Sequence, residues 1–420
     1  MKLIFLIVLF VSSSLARASV SGQLKSSTDI YAQEMGEPTD TVVPYLNLDL
    51  NGKEKLSKKW RVQWQAAILS NPESPTSPEK LFADIKEAFV QYKESPLELR
   101  AGFNTVNWGV VDISSPSDVV NPSAFFHPLR ISKRGSPMLE AQVQEDNWGI
   151  HAIYIPRQQK SILPSADSRW LPRQVLIDEE IQGLKVILPK YLEYEFESGK
   201  ELNHALDHNA GLRLTSHLGS WDLSLMHFEG AAPQPKIRPI ITTNPNEVQS
   251  PILLSPLYYR TRTTGLGIVW AQESFILRLE SAYQHTISQS PLVQPWSWAN
   301  VAAIETNLPI GTTTATVLAQ YYYTQNPQSP DNMISSNYRL FDRTALLGTR
   351  WAYSDDLQFT GSVLFEGTTS GLFLMASFEQ KLGENLKWGA GWRDFSASKD
   401  GLLKTFDRND HANIEIIYYF

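Results

Sequence analysis

From residue 20 onward, apolar and polar residues alternate with a period of two in stretches of about ten. Trp60, Val62, Trp64, Ala66 and Ile68 share one parity, while Arg61, Gln63 and Gln65 hold the other. Stretches 97–103, 211–218 and 357–363 repeat the pattern. Neighbouring side chains of a strand point to opposite faces, so each stretch is predicted as a strand with one greasy and one wet side. About ten residues is also what a tilted strand needs to cross a bilayer. The runs between residues 20 and 420 number about eighteen, within a bracket of about fourteen to twenty.

The connections sort by length. Short ones fall at 94–96, 145–147, 219–220, 272–274, 354–356 and 383–385. Long ones fall between them, at 71–80, 105–137, 157–208, 230–259, 288–296 and 324–342. A soluble sandwich has no reason to sort its loops, whereas an antiparallel up-and-down transmembrane barrel does. The predicted fold is therefore all-β: such a barrel, with both termini on the short-turn side. Residues 181–205 fit either two further strands or folded loop structure. Aromatic residues follow several short turns: Trp60, Trp148, Trp221 and Phe275, with Trp388 three residues after Asn385. Rings that are apolar in body and polar at one edge favour the membrane–water interface, so these five and Phe420 are expected to form a girdle.

Both chain ends fit this picture. Phe420, Tyr418, Ile416, Ile414 and Ala412 share one face of the last segment, opposite Tyr419, Ile417, Glu415 and Asn413. This resembles the closing strand of a bacterial outer-membrane β-barrel. The resemblance implies that Phe420 belongs to the address read by the barrel-assembly machinery. At the other end, Lys2, the apolar run 3–11 and Ala16-Arg17-Ala18 read as a cleaved export signal over 1–18. A run of about 9 residues is too short to span a bilayer that needs ~20. Residues 19–420 are then expected to be one barrel in the bacterial outer membrane, with periplasmic termini. Its surroundings would be outer-membrane lipid and lipopolysaccharide.

Charge and cysteine content narrow the function. The chain holds 37 Lys+Arg against 44 Asp+Glu. Removing Lys2 and Arg17 leaves 35 against 44, a net of −9, which offers no polycationic surface for nucleic acid. There is no Cys, hence no disulfide framework and no thiolate metal site.

One local motif stands out. It comprises Glu87-Ala-Phe-Val90, Leu99-Arg-Ala-Gly-Phe-Asn104, Asn107-Trp-Gly109, Asp112 and Asp118-Val-Val-Asn-Pro122. It resembles a proteobacterial outer-membrane family of unknown function with EAYV, LRxGRQ and WG…D…NP motifs, over about residues 80–135. Phe89 stands where that family has Tyr, and Phe103-Asn104 where it has Arg-Gln. The resemblance implies a porin-like barrel and names no substrate. Parity places Glu87, Arg100 and Asn104 toward the lumen, with Arg61 nearby and Glu87 opposite Arg100. Gly102 is expected to leave room for the loop 107–128, part of the longer segment 105–137; its Trp108, Phe125 and Phe126 are too apolar for a solvated loop. That segment is expected to fold inward, with Arg130, Lys133 and Arg134 facing lumen acids such as Glu87 and Glu140. The expected constriction residues are Arg61, Glu87, Arg100, Asn104, Trp108, Asp112, Asp118, Arg130, Arg134 and Glu140.

Catalysis finds little support. Ser216 and His217 point to opposite faces of a strand, as do Ser224 and His227. His204 and His208 have metal-ligand spacing around Asp207 only on a helix. No catalytic group, metal or cofactor is assigned, and the chain is not expected to be an enzyme. The leading expectation is a porin-like channel for small solutes. The alternatives are a channel for apolar or amphipathic compounds, with Trp108, Phe125, Phe126, Trp296 and Trp298 lining its entry, and a plugged surface-binding barrel.

Overall fold

A computed structural model describes residues 19–34, 41–70, 81–125, 127–164, 168–171, 180–181, 184–185, 192–194, 200–241, 252–288, 290, 293–326, 343–367, 370–398 and 402–420. The expected leader over 1–18 lies outside them. Eighteen long strands form one sheet: β1 (Ser19–Tyr31), β2 (Val42–Lys55), β3 (Trp60–Ser70), β4 (Leu81–Glu94), β5 (Leu97–Asn104) and β6 (Ser136–Gln144) come first. They continue with β7 (Trp148–Arg157), β8 (Asp207–Leu218), β9 (Trp221–Ala231), β10 (Arg260–Ala271), β11 (Phe275–Ile287) and β12 (Trp296–Ile310). The last six are β13 (Thr313–Gln325), β14 (Thr344–Ala352), β15 (Leu357–Glu366), β16 (Gly371–Lys381), β17 (Leu386–Ala397) and β18 (His411–Tyr419). Each pairs antiparallel with its chain neighbours, and β1 pairs with β18 from Gln23↔Tyr419 to Tyr31↔His411. The sheet is therefore a closed 18-stranded up-and-down barrel.

The period-two alternation explains the closure. Outward positions carry Leu46, Ile68, Leu99, Leu139, Leu214, Leu266, Ile304, Leu347 and Ile414, all exposed to the barrel exterior. Inward positions carry Asp29, Gln91, Glu140, Asn209, Glu280, Gln320 and Asn413, all buried. A wall that is apolar outside and polar inside is stable when lipid surrounds it and water or protein fills it.

The short-turn rim carries the predicted aromatic set facing outward. Trp60 packs on Tyr92, and Trp221 stacks on Trp270 with their ring planes 4° apart. Phe275 meets Trp270 edge-on, Trp388 meets Phe378, and Tyr418 stacks on Phe420; Trp148 is half exposed beside them. A further turn between β12 and β13, at Gly311 in left-handed backbone (φ 62°), adds to this rim beyond the turns read from sequence. On the opposite rim one connection, between β15 and β16, is short, which departs from the expected sorting.

Among the described residues, the 181–205 region adds no barrel strand. Its described pieces are a two-stranded pair, Glu180–Ile181 with Leu184–Lys185, and a helix, Lys200–Leu206. Leu192–Tyr194 joins Ile252–Leu257 and Lys236–Ile241 in a three-stranded sheet. This is folded loop structure on the long-loop side.

Candidate functional site

Between β5 and β6 the chain leaves the wall at residue 105 and rejoins it at 136, so Pro137 belongs to β6. Asn121 ties the base of this segment. Its Oδ1 accepts from Val106 N (2.7 Å), and its Nδ2 donates to the carbonyls of Asn104 and Arg134 (both 3.0 Å). The segment then crosses the lumen. Trp108 is buried among Met138, Ile153, Met226 and Phe228, and its Nε1 donates to His151 Nδ1 at 3.2 Å.

The far anchor is Glu280 on β11. Its Oε2 accepts from Val110 N (2.9 Å) and Val111 N (3.2 Å), and its Oε1 accepts from Ser115 Oγ (2.5 Å) and Ser117 N (2.7 Å). A buried carboxylate needs its lone pairs filled, and here backbone N–H groups fill them as a small nest would. Beyond it, Ile113 O accepts from Gln320 Nε2 (2.8 Å) and from Tyr322 OH on β13.

Glycines on the inner wall make room for this path. A Cβ on Gly211 would lie 2.7 Å from the Trp108 ring; on Gly265, 2.3 Å from Ser117 Oγ; on Gly267, 2.7 Å from Val110. Gly102, which the sequence pointed to, serves another purpose. A Cβ there would meet Ala88 O at 2.2 Å, so Gly102 (φ 141°) admits the neighbouring strand and not the segment.

The return limb is held by charge, though not by the expected acids. Arg130 reaches Asp29 on β1 (2.7 Å) and lies over the Tyr45 ring. Arg134 reaches Asp84 on β4 (3.0 Å), and Lys133 pairs with Asp118 inside the segment. Glu87 instead accepts from Gln63 (2.7 Å), and Glu140 takes Asn104, His151 (3.1 Å) and Arg100 (3.9 Å). The predicted Glu87–Arg100 pair is also replaced: Arg100 stands opposite Gln91 and pairs with Glu98, while Arg61 donates to Gln91. The reason is register. Glu87 faces Gln65 across β3–β4 and lies four residues along β4 from Gln91, the residue opposite Arg100.

Arg100, Asn104, Trp108 and Glu140 are thus brought together. Arg130 and Arg134 anchor on separate walls, and Arg61 and Glu87 stay on the β3–β4 wall. Asp112 lies at the segment's tip, its side chain 61 % exposed and 3.8 Å from Arg278, which pairs with Glu305 at 2.9 Å. Burial and the nearby Glu280 carboxylate raise the Asp118 pKa despite Lys133. His127 is fully enclosed. Its imidazole is pushed down to about 3, chiefly by burial and against the pull of Asp29 at 3.5 Å.

A second inward element escaped the sequence. Trp170, in the connection after β7, is completely buried against His127, Tyr31, Phe395, Phe406 and His411. Arg169 beside it lies over the Tyr31 ring (3.5 Å), and Asn409 Nδ2 donates to its carbonyl (3.1 Å). Trp296 and Trp298, by contrast, lie on the outer wall: Trp298 is exposed there, and Trp296 stacks on Tyr283. Phe126 lies outside the described residues. His204 sits in the short helix, while Asp207 and His208 belong to β8, so the helical metal-ligand spacing is not realised. Among the described residues no group of three His, Cys, Asp or Glu is placed to hold a metal.

No family model matches this chain, and no curated protein sequence matches it. Solved structures resemble it at low identity. A variant of the Rh. blastica porin is 11% identical, covering 96% of this chain and 100% of that one, with a TM-score of 0.45. The in-vitro folded OmpT, an outer membrane protein of Vibrio cholerae, is 9% identical over 96% and 97%, with a TM-score of 0.41. Its loop L8 deletion mutant gives 9% over 96% and 99%, at 0.43. At such identities the likeness concerns the barrel fold alone.

Proposed function

We propose that this chain is a porin-like channel of a bacterial outer membrane, passing small polar solutes at a width set by residues 105–135. The observation that carries this reading is the Glu280 anchorage, which holds the segment across a lumen whose short-turn side is polar and open to solvent. Inward residues there, such as Asn51, Lys53, Asp222, Arg350 and Glu379, are exposed. An 18-stranded barrel is wide enough to hold water, unlike an eight-stranded one. The termini are then periplasmic, the long loops face outward, and Phe420 serves the assembly machinery. In the closed barrel Phe420 exchanges backbone hydrogen bonds with Gly22 (2.9 and 3.0 Å).

The test is single-channel conductance of the full chain in planar bilayers. A steady aqueous current that rises when residues 114–126 are excised supports the reading. An unchanged current in a correctly inserted deletion variant makes the segment a rim latch.

One observation favours a second reading, a plugged binding barrel: the Trp170 cluster fills the lumen beside β1, β2 and β14–β18. Absence of any current from the intact, inserted chain would select it. The apolar-solute reading loses part of its support, because Trp296 and Trp298 lie on the outer wall and Trp108 is buried against the inner one.

A further inference from the structure

The exterior of β9–β14 carries a second constellation. Down the outer face of β11, from the long-loop rim, come His285, Tyr283, Ser281 and Leu279: imidazole, phenol, hydroxyl, then aliphatic. Steps of two residues are about 6.6 Å along a strand. Arg262 of β10 stands opposite His285, and Glu229 of β9 stands opposite Arg262. Arg262 commits only Nε to Glu229 (2.8 Å), and that carboxylate is shared with Arg260 at 3.5 Å. The two terminal guanidinium nitrogens of Arg262 have no partner among the described residues, and the side chain is 54% exposed.

Further down, Trp298 Nε1 donates to Ser281 Oγ (2.8 Å), and Ser281 donates to Asn300 Oδ1 (2.8 Å). The Asn300 amide nitrogen keeps both donors without a partner among the described residues. Donors left unfilled on a lipid-facing wall are costly, so they call for an acceptor supplied from outside. Immediately below opens an apolar groove in the outer wall, about 250 Å³ under Asn300, continuing as one of about 490 Å³. The groove exists because Ala302, Ala319 and Ala345 are small where Tyr321, Leu347 and Phe365 flank them.

Cation, amide donor and greasy groove thus follow one another in order of depth. We propose that this stripe binds a phosphorylated, acylated lipid of the outer leaflet. Its phosphate lies on Arg262 and His285, an ester or amide carbonyl accepts from Asn300, and acyl chains fill the groove over Ala302, Ala319 and Ala345. A guanidinium whose terminal edge is free suits phosphate better than a neutral headgroup. This inference rests on the outer-membrane reading above, because only there do the long-loop rim and the outer leaflet coincide.

The full chain, purified in detergent, is incubated with bisphosphorylated hexa-acyl lipid A, with its dephosphorylated form and with phosphatidylcholine. Bound lipid is counted by native mass spectrometry. The expected result is a preference of about tenfold for the phosphorylated form, lost in the double variant Arg262→Gln/His285→Gln. Ala319→Phe, which fills the groove and keeps the cation, lowers retention of every acyl ligand. Heat-modifiable mobility confirms that each variant is folded. Equal retention by the parent and the double variant, or no preference in the parent, overturns the site. Failure of the parent chain to insert into vesicles sinks the membrane reading instead, and is scored separately.

Discussion

Glu280 Oε1 accepts a 2.7 Å hydrogen bond from the backbone nitrogen of Ser117, a residue 163 positions earlier in the chain. Three more donors converge on the same carboxylate, so one side chain holds the far end of the inward segment. Charge-assisted hydrogen bonds are worth about 1.5–3 kcal/mol each, and Glu280→Gln replaces an acceptor oxygen with an amide donor that faces other donors. This variant is expected to loosen the segment by about 2–4 kcal/mol while the barrel stays folded. Single-channel records should show larger and noisier current, and a quiet, parental trace would dismiss Glu280 as the latch.

The glycine dents make a separate prediction. Gly267→Val adds atoms where a Cβ already lies 2.7 Å from Val110 and 2.6 Å from Ser224 Oγ. The segment must move, because the wall strand is fixed by its two neighbours. Limited proteolysis between residues 105 and 120 should quicken several-fold in the inserted protein. Protection equal to the parent would mean the segment has slack there.

Opposite faces of one strand should respond differently. Val363→Arg places a charge in lipid and is expected to cost roughly 2–4 kcal/mol near the midplane. Ser362→Arg, one position away and inward, should be tolerated. Urea unfolding in vesicles reads the difference; equal damage on both parities would contradict the lipid-facing assignment.

Acidity should release the return limb. His127 titrates at about 3 in the folded chain against an ordinary imidazole value of 6.5. The unfolded chain therefore binds the extra proton first, so the contribution of neutral His127 is complete above about 6.5 and is lost as pH falls toward about 3. Segment protection from protease should fall across that window, and His127→Phe should flatten the fall. A parental profile in His127→Phe would move the effect to other groups.

Much of this architecture was legible because lipid enforces a strict period. Trp64 and Gln63 cannot exchange faces, so parity alone separated wall from lumen, and loop length separated the rims. The motif residues Asn104, Trp108 and Glu140 are buried inside the wall. The anchors were not legible, since no local pattern fixes which of several lumen acids a 31-residue excursion will reach. Asp29, Asp84 and Glu280 were chosen by the path of the segment across strands distant in sequence. One signal did exist: Gly265 and Gly267 fall on the inward parity of β10, and two missing side chains on one inner wall mark a place where something docks.

The pairing of β1 with β18 sets the order of events during biogenesis. Until residues 411–419 arrive, the first and last edges of the sheet present open rows of N–H and C=O groups, ready templates for another chain. Closure joins positions nearly the whole sequence apart, so it comes late and carries a large loop entropy. The inward segment spans the bore from β5 to β13, with contacts on both halves of the future cylinder. It can then template the curvature of an unfinished sheet, drawing the two halves toward each other before the seam is made. A chain deprived of it would meet its hardest folding step with no interior guide.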